Sequence, residues 1–143
     1  MMNRKKIVVA YDGSPCSETA LKMAVELAKA ILGEIILVSV IDVPTLVFAD
    51  GIVNPEELER EVQRNFQEKE ETGMKYCKEM GVKSYATFLR GNPPDEIIKY
   101  AHEEKAYMIV TGTRGLGGFK KLLLGSVAHK LVTYSDIPVL VAK

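Results

Sequence analysis

The chain has 143 residues, enough for one domain with a sizeable core. Its 19 basic and 19 acidic residues balance, so net charge gives no electrostatic footprint for nucleic acid; with no Trp and few aromatics, a base-stacking platform is also disfavoured. Cys16 and Cys77 fit neither a CxxC nor a zinc spacing and read as reduced thiols. The apolar run after Arg4, Lys5 and Lys6 stops at Asp12, too short for a signal peptide, and the longest apolar stretch, residues 35–41, is far below membrane-spanning length. The expectation is a single cytoplasmic domain over residues 1–143, with neither nucleic acid nor membrane as a partner.

Ile7, Val8, Val9, Ala10 and Tyr11 form a β-rich run without polar alternation, as in a strand buried on both faces. Ser14 is placed as N-cap and Pro15 as first residue of a helix whose inner face carries Ala20, Leu21, Ala24, Leu27, Ala28 and Ile31; Gly33 is read as its stop. Residues 35–41 give a second buried strand. Residues 42–54, with Pro44 and Gly51, are long enough for a lid or a partner contact, although Leu46, Val47 and Phe48 packing over the core is an equal alternative.

Pro55 opens the longest helix, to about Met80, with Leu58, Val62, Phe66, Tyr76 and Met80 along one face. Its Glu56, Glu57, Glu59, Glu61, Glu68, Glu70 and Glu71, interspersed with lysines, read as a solvated face rather than a metal site. Gly81 closes that helix, and residues 82–89 make a third strand. Asn92 caps a third helix, with Asp95 in its first turn and Ile97, Ile98 and Ala101 inward. Residues 106–111 are a fourth strand, 124–134 a fourth helix and 137–142 a fifth strand.

Strands separated by single helices predict an α/β fold: one doubly wound domain, a five-stranded parallel sheet and helices on both faces. With strand one as the reversal point, the order is 3-2-1-4-5. Ligands bind such sheets beyond the carboxyl ends of the strands at that point. Residues 12–14, 40–42 and 112–115 then converge on one crevice.

The strand ending near Thr111 gives way to Gly112, Thr113, Arg114 and Gly115, and after nine residues to Gly125 and Ser126 at a helix start. Backbone amides that glycine lets approach a ligand, beside a helix N-terminus, form an anion site, and nucleotide phosphates are often held this way. Ser126 can add its hydroxyl and amide. There is no GxxxxGK[ST], no GxGxxG after strand one, no GxSxG and no HExxH. His102 and His129, both on helical patterns, read as exposed.

With Tyr11-Asp12-Gly13-Ser14, Val40-Ile41-Asp42, Gly91-Asn92-Pro93, Gly112 to Gly115 and Leu124-Gly125-Ser126-Val127 in place, the chain resembles the ATP-binding subgroup of the universal stress protein family from end to end. The resemblance implies that Asp12 sits at the nucleotide site and that Val40 reads adenine through its backbone. It implies that Ala10 and Tyr11 line the base and ribose, and that Gly112, Thr113, Arg114 and Gly115 approach ribose and phosphates. Gly125, Ser126 and Val127 would hold the phosphate tail, and Ser14 a phosphate or a bridging ion, Mg2+ or Mn2+. Many members carry Ser-His where this chain has Thr113-Arg114, so Arg114 is either a charge-assisted phosphate contact or a surface arginine.

The leading expectation is an ATP-binding regulatory protein that switches conformation or partners, an unidentified protein among them, with nucleotide occupancy. A slow ATPase or phosphotransferase using the same site is the alternative; no general base is evident for it. A pure dimerisation module is the third reading. Residues 137–142 are apolar at a sheet edge, which with the resemblance predicts a homodimer through that strand.

Overall fold

The computed structural model describes residues 3–42, 54–114 and 124–143. Along the chain run β1 (Lys6–Ala10), α1 (Pro15–Ile31), β2 (Glu34–Ile41), α2 (Pro55–Glu79), β3 (Ser84–Arg90), α3 (Pro93–Glu103), β4 (Met108–Gly112), α4 (Ser126–Tyr134) and β5 (Val139–Ala142). All neighbouring strands pair parallel in the order β3-β2-β1-β4-β5. The expected order is therefore the observed one.

Strand alternation divides the core into two layers. Ile7, Val9, Ile35, Leu37 and Val110 face α1 and α2, where they meet Ala20, Leu21, Ala24, Val25, Ala28 and Cys77. Val8, Ile36, Val38 and Ile109 face α3 and α4, against Ile97, Ala101 and Leu131. Each fully buried Ile, Leu or Val contributes about 1.5–3 kcal/mol relative to exposure. The central strands thus hold most of the apolar stabilisation, and the crevice at their ends rests on a rigid base.

Local chemistry fixes where the helices begin. Ser14, Asn54 and Asn92 each accept an N-cap hydrogen bond, from the amides of Ser17, Glu56 and Asp95, and each is followed by proline. A side-chain cap of this kind is worth about 1 kcal/mol. Gly33 is not the stop of α1 that the sequence reading makes it. Leu32 takes the left-handed conformation there, at φ 56°. Gly33 instead allows close approach: a Cβ on it would lie 2.8 Å from the Lys5 carbonyl oxygen.

A second correction concerns α2. Glu70 is not on the solvated face; it is buried, beside Gly73 and Cys77 on the inward stripe. Glu59 is also largely covered and pairs with Arg90 at 2.7 Å. Most of the connection proposed as a lid, residues 43–53, lies outside the described residues. Among the described residues, no helix is long and apolar enough to cross a membrane.

Candidate functional site

Register builds the site. Ala10 pairs with Val38, and β1 ends at Ala10 while β2 continues to Ile41. The last bond between the two strands runs from the Tyr11 amide to the Val38 carbonyl, 2.9 Å. In a parallel strand alternate residues address the same neighbour, so Val40, two residues on, turns its N–H and C=O toward β1. The chain of β1 has by then left the sheet. Ile41 faces the other way and accepts from Gly91 at 2.9 Å. Val40 therefore presents a donor and an acceptor side by side to the crevice.

Across the end of β1, β4 finishes at Gly112 and the chain returns to α4. The Gly125 amide donates to the Thr113 carbonyl at 2.6 Å, tying together the two ends of the connection. Unlike the other three helices, α4 has no side-chain cap; its N-cap is Gly125. Among the described residues, its first amides, at exposed Ser126 and half-buried Val127, lack the side-chain acceptor that the other helix starts possess. Together with the helix dipole this favours an anion.

The Asp12 to Ser14 turn closes the crevice from the α1 side. Asp12 Oδ1 accepts from the Ser14 amide at 2.9 Å. Ser14 is buried, and its hydroxyl accepts from the Ser17 amide at 3.2 Å. Asp12 and Arg114 have further interactions within the chain. The Tyr11 ring packs in the core layer with α1 and α2, its hydroxyl donates to the Glu18 carboxylate, and its carbonyl accepts from the Ser39 hydroxyl at 2.8 Å. Burial, then the bond to Glu18, pushes the Tyr11 hydroxyl well above its ordinary pKa. Ala10, at the end of β1, is half-buried over the opposite layer.

Of the residues singled out from sequence, Ala10, Asp12, Ser14, Val40, Gly112, Thr113, Arg114, Gly125, Ser126 and Val127 lie at this end of the sheet. Gly115 lies outside the described residues. Two glycines have reasons the sequence reading missed. A Cβ on Gly112 would fall 2.6 Å from the Cys16 carbonyl oxygen, so this glycine admits the first turn of α1. A Cβ on Gly125 would meet the Thr113 oxygen and Arg114 Cα at 3.0 Å, so it lets the two arms of the connection touch. Cys16 Sγ also lies 3.7 Å from Thr113 Oγ1, joining α1 to the same arm. Nothing in a strand-glycine-helix pattern names Cys16 as the neighbour; that needs the fold.

The model of the universal stress protein family matches residues 3–143. The chain belongs to that family. It is 37% identical over 139 residues to universal stress protein MJ0531 of Methanocaldococcus jannaschii, covering 97% of this chain and 82% of that one. Over 145 residues it is 37% identical to universal stress protein YxiE of Bacillus subtilis, covering 96% and 98%. Among solved structures it resembles hypothetical protein MJ0577, with TM-score 0.86, 31% identity, and 99% and 97% of the two chains covered. A universal stress protein from Archaeoglobus fulgidus in complex with dAMP shares the fold, with TM-score 0.74 over the full length of both chains at 21% identity. Among the described residues of this universal stress protein, no group of three or more His, Cys, Asp or Glu could hold a metal ion.

Proposed function

We propose that this universal stress protein binds ATP and acts as a nucleotide-dependent switch in a stress response, in the manner of the family's ATP-binding subgroup. One observation carries the reading. The backbone edge at Val40, beyond the end of β1, and the start of α4, which has no side-chain cap among the described residues, lie at the same end of the sheet. A neutral donor–acceptor pair on one side and an anion site on the other suit a base joined to phosphates. The bound adenine nucleotide of the Archaeoglobus fulgidus neighbour accords with this, although its likeness to the present chain is one of fold.

The chemistry of Val40 selects the base. Adenine offers an acceptor at N1 and a donor at its amino group, which match one N–H and one C=O. Guanine carries a donor at N1 and an acceptor at O6, the reverse. Ala10 and the Tyr11 backbone lie on the base and ribose side with Asp12, while Gly112, Thr113, Arg114 and Gly115 lead to the phosphates and Gly125, Ser126 and Val127 hold their tail. A divalent ion, Mg2+ or Mn2+, would ride on the phosphates, with Ser14 as the protein contact proposed for it. Switching then follows from binding energy that differs between two conformations or two partners.

Binding rather than rapid turnover fits the side chains. Asp12 engages its carboxylate with the Ser14 amide, and His102, on α3, pairs with Asp136 at 3.6 Å. Calorimetric titration of the purified protein with ATP and then GTP tests the reading. ATP should bind and GTP should bind at least about tenfold more weakly, the equivalent of one mismatched hydrogen-bonding pair. Equal affinity for the two would contradict base reading at Val40.

A further inference from the structure

Lys69 reaches the same site from α2, a helix that no glycine or strand-end motif connects with it. Gly13 has φ +80°, a conformation that favours glycine, and a Cβ built there would lie 2.1 Å from Lys69 Cδ, 2.9 Å from Cε and 3.0 Å from Cγ. The Lys69 methylenes therefore cross the Cα of Gly13, midway between Asp12 and Ser14. The ammonium, one bond beyond Cε, is carried to that turn.

The run of α2 explains how it gets there. The helix lies antiparallel to the strands and, at 25 residues, is about 37 Å long. The eight residues of β2 span only about 27 Å. Gly73 already packs at the level of Leu37 and of Tyr11, where β1 leaves the sheet. The turns before Gly73 consequently rise past the strand ends, along one wall of the crevice.

Lys69 is half-buried and makes no ion pair with any described residue. Its stem lies on Gly13, and among the described residues no carboxylate is within ion-pair distance of its ammonium. The N-terminus of α1, immediately after Gly13, adds positive potential to the same place. The Val40 side of the crevice, by contrast, carries the neutral backbone groups of Val40 and, two residues on, the Asp42 carboxylate.

We infer that Lys69 is a binding residue that pairs with the phosphate chain of the nucleotide and favours polyphosphates over the bare nucleoside. This rests on the nucleotide reading above and assigns a residue outside its motifs. Gly13 is then required twice, by its backbone conformation and by the lysine stem that crosses it.

The test measures affinities of the purified protein for ATP and for adenosine, in the wild type, Lys69→Met and Lys69→Arg. Methionine keeps an unbranched stem over Gly13 and removes the charge. Losing one charge-assisted contact should weaken ATP at least about tenfold, leave adenosine unchanged and flatten the salt dependence of ATP binding, with arginine restoring most of the loss. Unchanged ATP affinity in Lys69→Met, or equal losses for ATP and adenosine, would overturn the inference. If the wild type binds neither ligand, the nucleotide reading itself falls, and the inference with it.

Discussion

At the scale of single residues, Glu70 is the group most out of place. It is 3% exposed, and its Oε2 has no hydrogen-bond partner among the described residues. Burial alone pushes its pKa from 4.5 to about 7. Between those values the folded protein holds a proton that the unfolded chain releases. Its effect on stability is therefore a loss that begins as pH rises above the unfolded value and is complete above the folded one. At most that loss reaches about 3 kcal/mol. Other carboxylates contribute with the opposite sign, so the comparison is between wild type and Glu70→Gln. From about pH 5 to about pH 8 the denaturant midpoint of the wild type should fall relative to that of the variant. Parallel curves would show that Glu70 finds a partner or stays ionised.

At the scale of elements, α2 lies close to the sheet because Gly73 has no side chain. A Cβ there would meet Leu37 Cδ1 at 2.9 Å and Leu21 Cδ2 at 3.2 Å, both residues wholly buried. Gly73→Ala gains about 1 kcal/mol of helix propensity but overpacks the core, which costs about 1–3 kcal/mol. Overpacking should win, and a thermal melt should show a lower midpoint; a higher one would mean the layer yields easily. The same helix shows what a sequence can and cannot tell. Pro55, Ser14, Asn92 and the apolar runs announce the elements, because caps and periodicity act within a few residues. The inward position of Glu70 escapes that reading, since the buried arc of α2 depends on which strands lie beneath it. The role of Leu32 escapes as well, because a leucine at φ 56° is held there by its surroundings. At the site, the glycines and the Asp12 to Ser14 turn were legible as local patterns. The open edge of Val40 depends on β2 outrunning β1, and Lys69 on a contact across 56 positions of sequence.

At the scale of the molecule, cations collect at the end of the sheet opposite the site. Arg4, Lys5, Lys6, Lys83 and Lys105 gather with Glu34 and Glu104 in a hollow at the end opposite the site. Helices α1, α2 and α3 finish at that end, and cations offset their exposed carbonyls. There Lys6 pairs with Glu104 at 2.9 Å and Lys5 lies over the Tyr107 ring at 4.5 Å. The sheet itself ends at β5, which we propose as the seam of a homodimer through residues 137–142. Ile109 bonds to the Pro138 carbonyl, so Pro138 and Leu140 address β4 while Val139 and Val141 turn their backbone groups outward. Val141→Pro should remove an outward donor without touching the β4 ladder, giving a folded monomer by sedimentation at micromolar concentration; a wild type already monomeric there would rule the seam out. The central claim is nucleotide binding, and the direct measurement is the melting temperature of the wild type against ATP with magnesium. At about 100 times its dissociation constant, a ligand adds about 2.7 kcal/mol, a rise of roughly 5–10 °C for a domain of this size. A melting temperature that does not move at any ATP concentration up to the millimolar range would contradict the account.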